Sequence, residues 1–296
     1  MTQLALGTVQ FGLDYGISNG MGQTPLDEVR AILECAAAQG IDMLDTAPAY
    51  GESESVLGRC LPLSGQFAVV SKVPRMGAQE RAADFGPLVR QSCQQSLQRT
   101  GQSRLYGLLV HHADDCLQVG GEAIYREMEQ LKREGLTERI GFSLYDAQQI
   151  EELLARYTMD FVQLPLNVLD QRLLRSSHLS MLARRGVEIH VRSVFLQGLL
   201  LMEPSRIPGT LAPLVPHLRG YHQWLTAKGL NPLEGALAFL RQLPEVSRAV
   251  VGVNSLEQLR EIAEAWERAA GAPREILDFG VAASLEEFID PRRWKE

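Results

Sequence analysis

Eight short apolar runs, each followed by a longer amphipathic stretch, constrain this chain more than any other feature. The runs cover residues 4–9, 41–46, 67–72, 105–111, 139–143, 160–164, 187–193 and 248–253. Each has the length of a strand, and most lack internal proline. The stretches between them carry helical patterns. Thr24 reads as an N-cap, Pro25 as the first helical residue, and Asp27 and Glu28 as the acidic first turn. That helix is expected to run to about Gln39, where Gly40 stops it. Further helices are expected over 84–99, 120–134, 146–156, 172–185 and 255–270.

Strands alternating with helices call for a parallel sheet with crossover helices. A doubly wound sheet should carry a glycine-rich phosphate turn after an early strand. No GxGxxG occurs, and Gly7 and Gly12 do not supply one. Eight strand–helix units in 296 residues suit a closed (β/α)8 TIM barrel, the expected fold, as a single domain over 1–296. The longest interval, 194–247, is read as a long loop after strand 7 that holds two helices. The segment after 271 is read as a C-terminal tail. Both are candidates for covering a site, although long surface loops are as often simply loops.

A formal net charge of −7, with no basic run, disfavours nucleic acid or an anionic membrane as partner. Cys35, Cys60, Cys93 and Cys116 lack metal-ligand spacing and fit a reducing compartment, with Cys35 expected in the core. The N-terminus has no basic segment leading into an apolar one, and no apolar run approaches the ~18 residues that span a bilayer. The expected address is the cytoplasm.

Barrel chemistry sits at the C-terminal ends of the strands. The second run ends LDTAPAYGE, placing Asp45 at the strand end and Tyr50 in the turn beyond. The third ends VVSK, with Lys72, and the fourth LLVHH, with His111 and His112. One such residue alone carries little: an Asp or Lys at a strand end is usually just solvated, and Tyr50 or His111 could serve packing. Four on consecutive strands form a chemical set. A lysine cation favours tyrosinate and lowers a tyrosine pKa, an aspartate holds that lysine charged, and a histidine can hydrogen-bond a carbonyl oxygen. Together they would stabilise a developing alkoxide. The set has no electron source, so a cofactor must supply one.

These residues resemble the aldo-keto reductase family. GIDMLDTAPAYGESESVLG looks like its aspartate–tyrosine signature, VVSKV its lysine strand and YGLLVHH its histidine strand. Lys72 follows Asp45 by 27 residues, and His111 follows Lys72 by 39. IGFSLYD, VQLPLN, VRSVFLQGLL and VVGVNSLEQL are similar to its later cofactor-binding segments, so the resemblance spans roughly residues 4–265. It implies a barrel that binds an extended nicotinamide cofactor and reduces an aldehyde or ketone, with Tyr50 protonating the carbonyl oxygen. Lys72 and Asp45 would tune Tyr50, and His111 would orient the carbonyl.

The resemblance also implies cofactor-binding residues. Gly7 and Thr8 lie toward the end of the first run. Ser143 and Gln163 match positions that hold the nicotinamide carboxamide, although Leu144 replaces the asparagine usual after that serine. Arg192 stands where an aromatic commonly stacks on the nicotinamide. Ser193, Phe195, Gln197 and Gly198 match the loop that crosses the pyrophosphate, and Gly252, Asn254, Ser255 and Gln258 the adenosine end. Family habit favours NADPH over NADH, while Asn254 and Gln258 supply no cation for a 2′-phosphate and the sequence leaves open whether nearby Arg260 faces it. Phe11, Asp14, Tyr15, Pro48, Arg75, His112, Phe195 and Trp294 are candidates for the substrate pocket, a mixture that suits a sugar as readily as an aromatic aldehyde.

Two other functions stay open at this stage. A Schiff-base lyase or aldolase would use Lys72 as a neutral nucleophile, against which the neighbouring carboxylate argues. A cofactor-sensing regulatory subunit would keep the fold without turnover.

Overall fold

The computed structural model describes residues 2–17, 19–61, 66–76 and 85–294. Eight parallel strands close into a barrel in sequence order. They are β1 (Gln3–Gly7), β2 (Met43–Asp45), β3 (Ala68–Val73), β4 (Leu105–Val110), β5 (Thr137–Ser143), β6 (Phe161–Pro165), β7 (Glu188–Arg192) and β8 (Arg248–Gly252). The (β/α)8 expectation is met. Every strand lies within three residues of the run that announced it. The strands are apolar nearly throughout because both faces are covered, one by barrel-filling side chains and one by helices.

The helices are α1 (Val9–Gly12), α2 (Leu26–Ala38), α3 (Ser53–Cys60), α4 (Phe85–Thr100), α5 (Glu122–Arg133), α6 (Ala147–Leu154), α7 (Arg172–Arg175), α8 (His178–Arg184), α9 (Val215–Ala227), α10 (Pro232–Arg241) and α11 (Leu256–Arg268). Residue 84, the first of one expected helix, lies outside the described residues. Pro25, not Thr24, is the N-cap of α2, because its backbone is already extended (ψ 150°) before the helix begins. The buried Thr24 hydroxyl instead faces the Asn254 carbonyl at 3.4 Å. The single helix expected over 172–185 is split into α7 and α8. Ser176 bonds back to the Arg172 carbonyl and Ser177 turns left-handed (φ 64°), which ends one helix and starts the next. The interval 194–247 holds α9 and α10, as expected, with 3-10 turns before them.

Two apolar layers result. The larger lies between sheet and helices. The smaller fills the barrel: Ala5, Met43, Val70, Leu109, Phe161 and Val250, from six strands. Phe161 is the bulkiest of these. It fits because β4 has a glycine opposite: a Cβ on Gly107 would stand 2.3 Å from the Phe161 ring. Cys60, Cys93 and Cys116 are buried, whereas Cys35 is half-buried at the edge of the core, and no cysteine is disulfide-bonded. Among the described residues no helix is long and apolar enough to cross a membrane, and no group of His, Cys, Asp or Glu could hold a metal ion.

The tail packs beside the loop after β6. Val281 donates its N–H to the Leu169 carbonyl, and Arg175 donates to the carbonyls of Gly280 and Val281. It reaches the barrel mouth through Arg292, whose guanidinium lies 3.5 Å from the Tyr145 ring centroid.

Candidate active site

In-register pairing sets Gly7 level with both Asp45 and Gly252, so the ends of β1, β2 and β8 share one rim. A cavity of about 430 Å³ opens at that rim. It lies at the C-terminal ends of the strands, where barrel sites are built. Asp45, Tyr50 and His111 line it. Lys72 lies behind this lining, fully buried.

Lys72 is saturated with acceptors. Its Nζ donates to Asp45 Oδ1, Asp45 Oδ2 and the Thr46 carbonyl, each at 2.8 Å. Gln163 Nε2 donates to Asp45 Oδ1 at 2.7 Å. The ammonium lies 4.8 Å from the Tyr50 ring centroid. Burial disfavours the Lys72 charge, but Asp45 and Tyr50 outweigh it, and the lysine pKa ends above its ordinary value.

Tyr50 departs from the expectation that Lys72 would lower its pKa. Burial raises the phenol, Lys72 pulls it down, Asp45 pushes it up again, and the net direction is upward. The physical reason is burial first, which disfavours the phenolate, and then pairing, since an ammonium bonded to a carboxylate presents a dipole to the phenol rather than a free charge. Tyr50 is therefore a protonated donor at neutral pH.

The His111 ring meets Tyr50 edge-on, with centroids 6.0 Å apart. Burial, then the cations Lys72 and Arg192 and the neighbouring His112, push its pKa down to about 3. His111 is thus neutral, and its Nδ1 is buried without a partner. A neutral imidazole can orient a carbonyl, but only Tyr50 of the pair holds a proton to give at neutral pH.

Gly12 positions Tyr50. A Cβ there would stand 1.9 Å from the Tyr50 carbonyl oxygen and 2.4 Å from the Ser53 nitrogen. Helix α1 and the turn after β2 therefore press backbone on backbone. The Ser53 hydroxyl closes the join by donating to the Thr8 carbonyl at 2.8 Å.

Of the expected cofactor residues, Gly7, Thr8, Gln163, Arg192, Ser193, Phe195, Gln197, Gly198, Gly252, Asn254 and Gln258 line the cavity. Ser143 and Ser255 do not. Ser143 is buried in the wall, and the Ser255 hydroxyl caps α11 by accepting from the Gln258 N–H at 3.2 Å. The segment after β7 is strained, with the non-glycine residues Ser193, Leu196 and Gln197 at positive φ. Such strain gathers where a loop must present its backbone to a ligand.

The substrate candidates are mostly displaced. Tyr15 and Phe195 line the cavity, but Phe11, on α1, is wholly buried in the main core. Arg75 and His112 are exposed outside it, His112 packing on the outer side of His111 at 5.2 Å between centroids. Asp14 and Pro48 are also outside the lining. Trp294 turns to the tail, its Nε1 donating to the Phe288 carbonyl at 3.0 Å. Sequence reasoning missed Gln10, Tyr145, Leu233 and Glu261, which do line the cavity. Gln10 and Tyr145 follow strand ends and were open to the same strand-end rule. Leu233 comes from α10, inside the long interval, and no local pattern marks it.

A nicotinamide dinucleotide fits these residues. Gln163 Oε1, Gln10 Oε1 and Asn254 Oδ1 are buried acceptors without partners, all on lining residues. Gln163 stands beside the catalytic end, where a carboxamide N–H could satisfy it. Gln10 and Asn254 stand by Gly252, where a Cβ would strike the Gln10 amide at 2.5 Å. A second cavity of about 480 Å³ lies under the tail. Its cations are already engaged, Arg172 with Asp170 and Arg175 with backbone carbonyls, and it contains none of the expected site residues.

Fold and cavity together define a (β/α)8 barrel with a cleft at the strand C-termini, the arrangement of barrel enzymes. The chain belongs to the aldo/keto reductase family, whose sequence model matches residues 3–271. It is 26% identical over 177 residues to aldo-keto reductase str7 of Strobilurus tenacellus, covering 59% of this chain and 52% of that protein. It is 31% identical over 134 residues to D-arabinose 1-dehydrogenase of Saccharomyces cerevisiae, covering 41% and 37%. These alignments span about half the length of the curated relatives, or less. A crystal structure from Pseudomonas aeruginosa, assigned to the aldo-keto reductases, superposes with a TM-score of 0.67 at 25% identity over 90% of both chains.

Proposed function

We propose that this protein reduces an aldehyde or ketone to an alcohol with a nicotinamide dinucleotide as hydride source. One observation carries the reading: Tyr50, protonated, and His111, neutral, face one cavity in front of the closed Lys72–Asp45 pair. The reduced cofactor, when bound, supplies a hydride to the carbonyl carbon. Tyr50 Oη gives its proton to the carbonyl oxygen, and His111 holds that oxygen in place. Lys72 stabilises the phenolate left behind, and Asp45 keeps Lys72 charged and fixed. Gln163, anchored through Nε2 on Asp45, keeps a buried oxygen free that could accept from the nicotinamide carboxamide.

The Schiff-base alternative has no support. A nucleophilic lysine must be neutral and reach the substrate. Lys72 is fully buried, holds a raised pKa and has all three donors engaged.

Family habit pointed to NADPH, but the lining argues for NADH. Toward α11 the cavity is bounded by Asn254, Gln258 and Glu261, and Arg192 supplies the one cationic side chain among the lining residues. Among the lining residues at that end a 2′-phosphate would find a carboxylate and no cation. The test is cofactor oxidation across a panel of aldehydes and sugars with NADH and NADPH in parallel. Turnover of at least one carbonyl, lost in Tyr50→Phe, is expected. No turnover alongside tight nucleotide binding would favour the regulatory-subunit reading instead.

A further inference from the structure

Arg192 is the unbalanced charge of the catalytic end. It follows Val191 at the end of β7 and lines the cavity with Tyr50 and His111. Its guanidinium lies 4.2 Å from the Tyr145 ring centroid and donates to the Leu144 carbonyl at 3.3 Å. Among the described residues no carboxylate lies within ion-pair distance of it. The Arg292 guanidinium also stacks on Tyr145, but it is neutralised by Asp290 at 2.6 Å. Around Arg192 the other groups cancel: Lys72 pairs with Asp45, His111 is neutral and Tyr50 is protonated. Glu261 is the other unpaired charge of the lining, and it stands on α11 beyond Gly252 and Asn254. The cavity is thus positive at its catalytic end and negative at its far end.

We propose that Arg192 makes this site discriminate between the two redox states of its nicotinamide cofactor, holding the reduced form more tightly than the oxidised form. The proposal rests on the reductase reading above. A hydride can pass only if the nicotinamide touches a carbonyl whose oxygen lies at Tyr50 and His111. That requirement confines the redox-active ring to the part of the cavity that Arg192 also lines. The reduced ring is neutral, and the oxidised ring carries one positive charge. A guanidinium lining the same part of the cleft leaves the neutral ring unaffected and repels the cationic one. A repulsion of about 1.4 kcal/mol corresponds to a tenfold discrimination, and the expected effect is about tenfold or more. It favours carbonyl reduction over alcohol oxidation on the protein and speeds release of the spent cofactor.

The experiment is equilibrium titration of NADH, NAD⁺ and ADP-ribose, the last lacking the nicotinamide. The wild-type ratio of Kd(NAD⁺) to Kd(NADH) is expected to be about ten or more and to shrink as salt screens the repulsion. Arg192→Gln should bring the ratio close to one, Arg192→Lys should retain most of it, and neither should change ADP-ribose affinity. A wild-type ratio near one overturns the proposal. So does a ratio unchanged in Arg192→Gln, or an equal loss of all three ligands, which would place Arg192 on the diphosphate. The wild-type ratio and its salt dependence decide the matter if the variants fail to fold. Failure of all three ligands to bind would instead remove the nicotinamide reading itself, and this proposal with it.

Discussion

Lys72 Nζ lies 2.8 Å from each carboxylate oxygen of Asp45, and the pair is buried, at 0% and 5% exposure. The lysine therefore acts on Tyr50 as half of a dipole. Removing one partner leaves the other charge buried. Lys72→Met is expected to destabilise the protein by roughly 3–5 kcal/mol, and adding Asp45→Asn should recover part of that loss. Urea unfolding of the two single variants and the double variant measures the coupling; strictly additive losses would show that the pair is not a unit.

Tyr50→Phe removes the phenol proton assigned to the carbonyl oxygen. Carbonyl reduction should fall by about 10²–10⁴-fold, with nucleotide affinity unchanged. Steady-state kinetics beside a fluorescence titration separate the two effects. Wild-type turnover in the variant would dismiss Tyr50 as the acid.

The pH profile distinguishes Tyr50 from His111. His111 gains a proton only near pH 3, and Tyr50, raised above its ordinary value, loses its own only in strong alkali. Protonated Tyr50 is the active form, so activity should persist below its raised pKa and fall as pH climbs through it. The kcat/KM for reduction is expected to be flat from pH 5 to 9. An inflection near 6.5 would mean that an imidazole carries the proton instead.

Gly12→Ala tests the seating of Tyr50. Its Cβ would meet backbone atoms of residues 50 and 53 at 1.9 and 2.4 Å, and backbone cannot swing aside as a side-chain tip can. A stability loss of about 1–3 kcal/mol is expected from such overpacking, together with a lower kcat. Thermal unfolding and turnover should fall together; an unchanged melting temperature would contradict the close approach.

Gln258→Arg would place a cation beside Asn254 at the far end of the cavity. If the missing cation is what disfavours a 2′-phosphate there, NADPH affinity should rise about tenfold and NADH affinity should stay level. Parallel gains for both cofactors would show that residue 258 does not face the 2′-position.

The order of strands and the residues at their ends were legible in the sequence, because strand runs and helix periodicity are local properties. Barrel closure then had to deliver Asp45, Tyr50, Lys72 and His111 to one rim. What each side chain does there depends on its neighbours through space. Ser255 matched a binding position, but its hydroxyl is occupied in capping α11. Phe11 and Trp294 looked like pocket walls but found apolar partners or a carbonyl elsewhere. Leu233 and Glu261 entered the cavity from helices whose placement no local pattern announces. The direction of the Tyr50 shift was also beyond the sequence. It is the difference between burial and the field of a paired lysine, and both are set by packing. Sequence determined which groups would meet; tertiary structure decided their charges and which of them face the cleft.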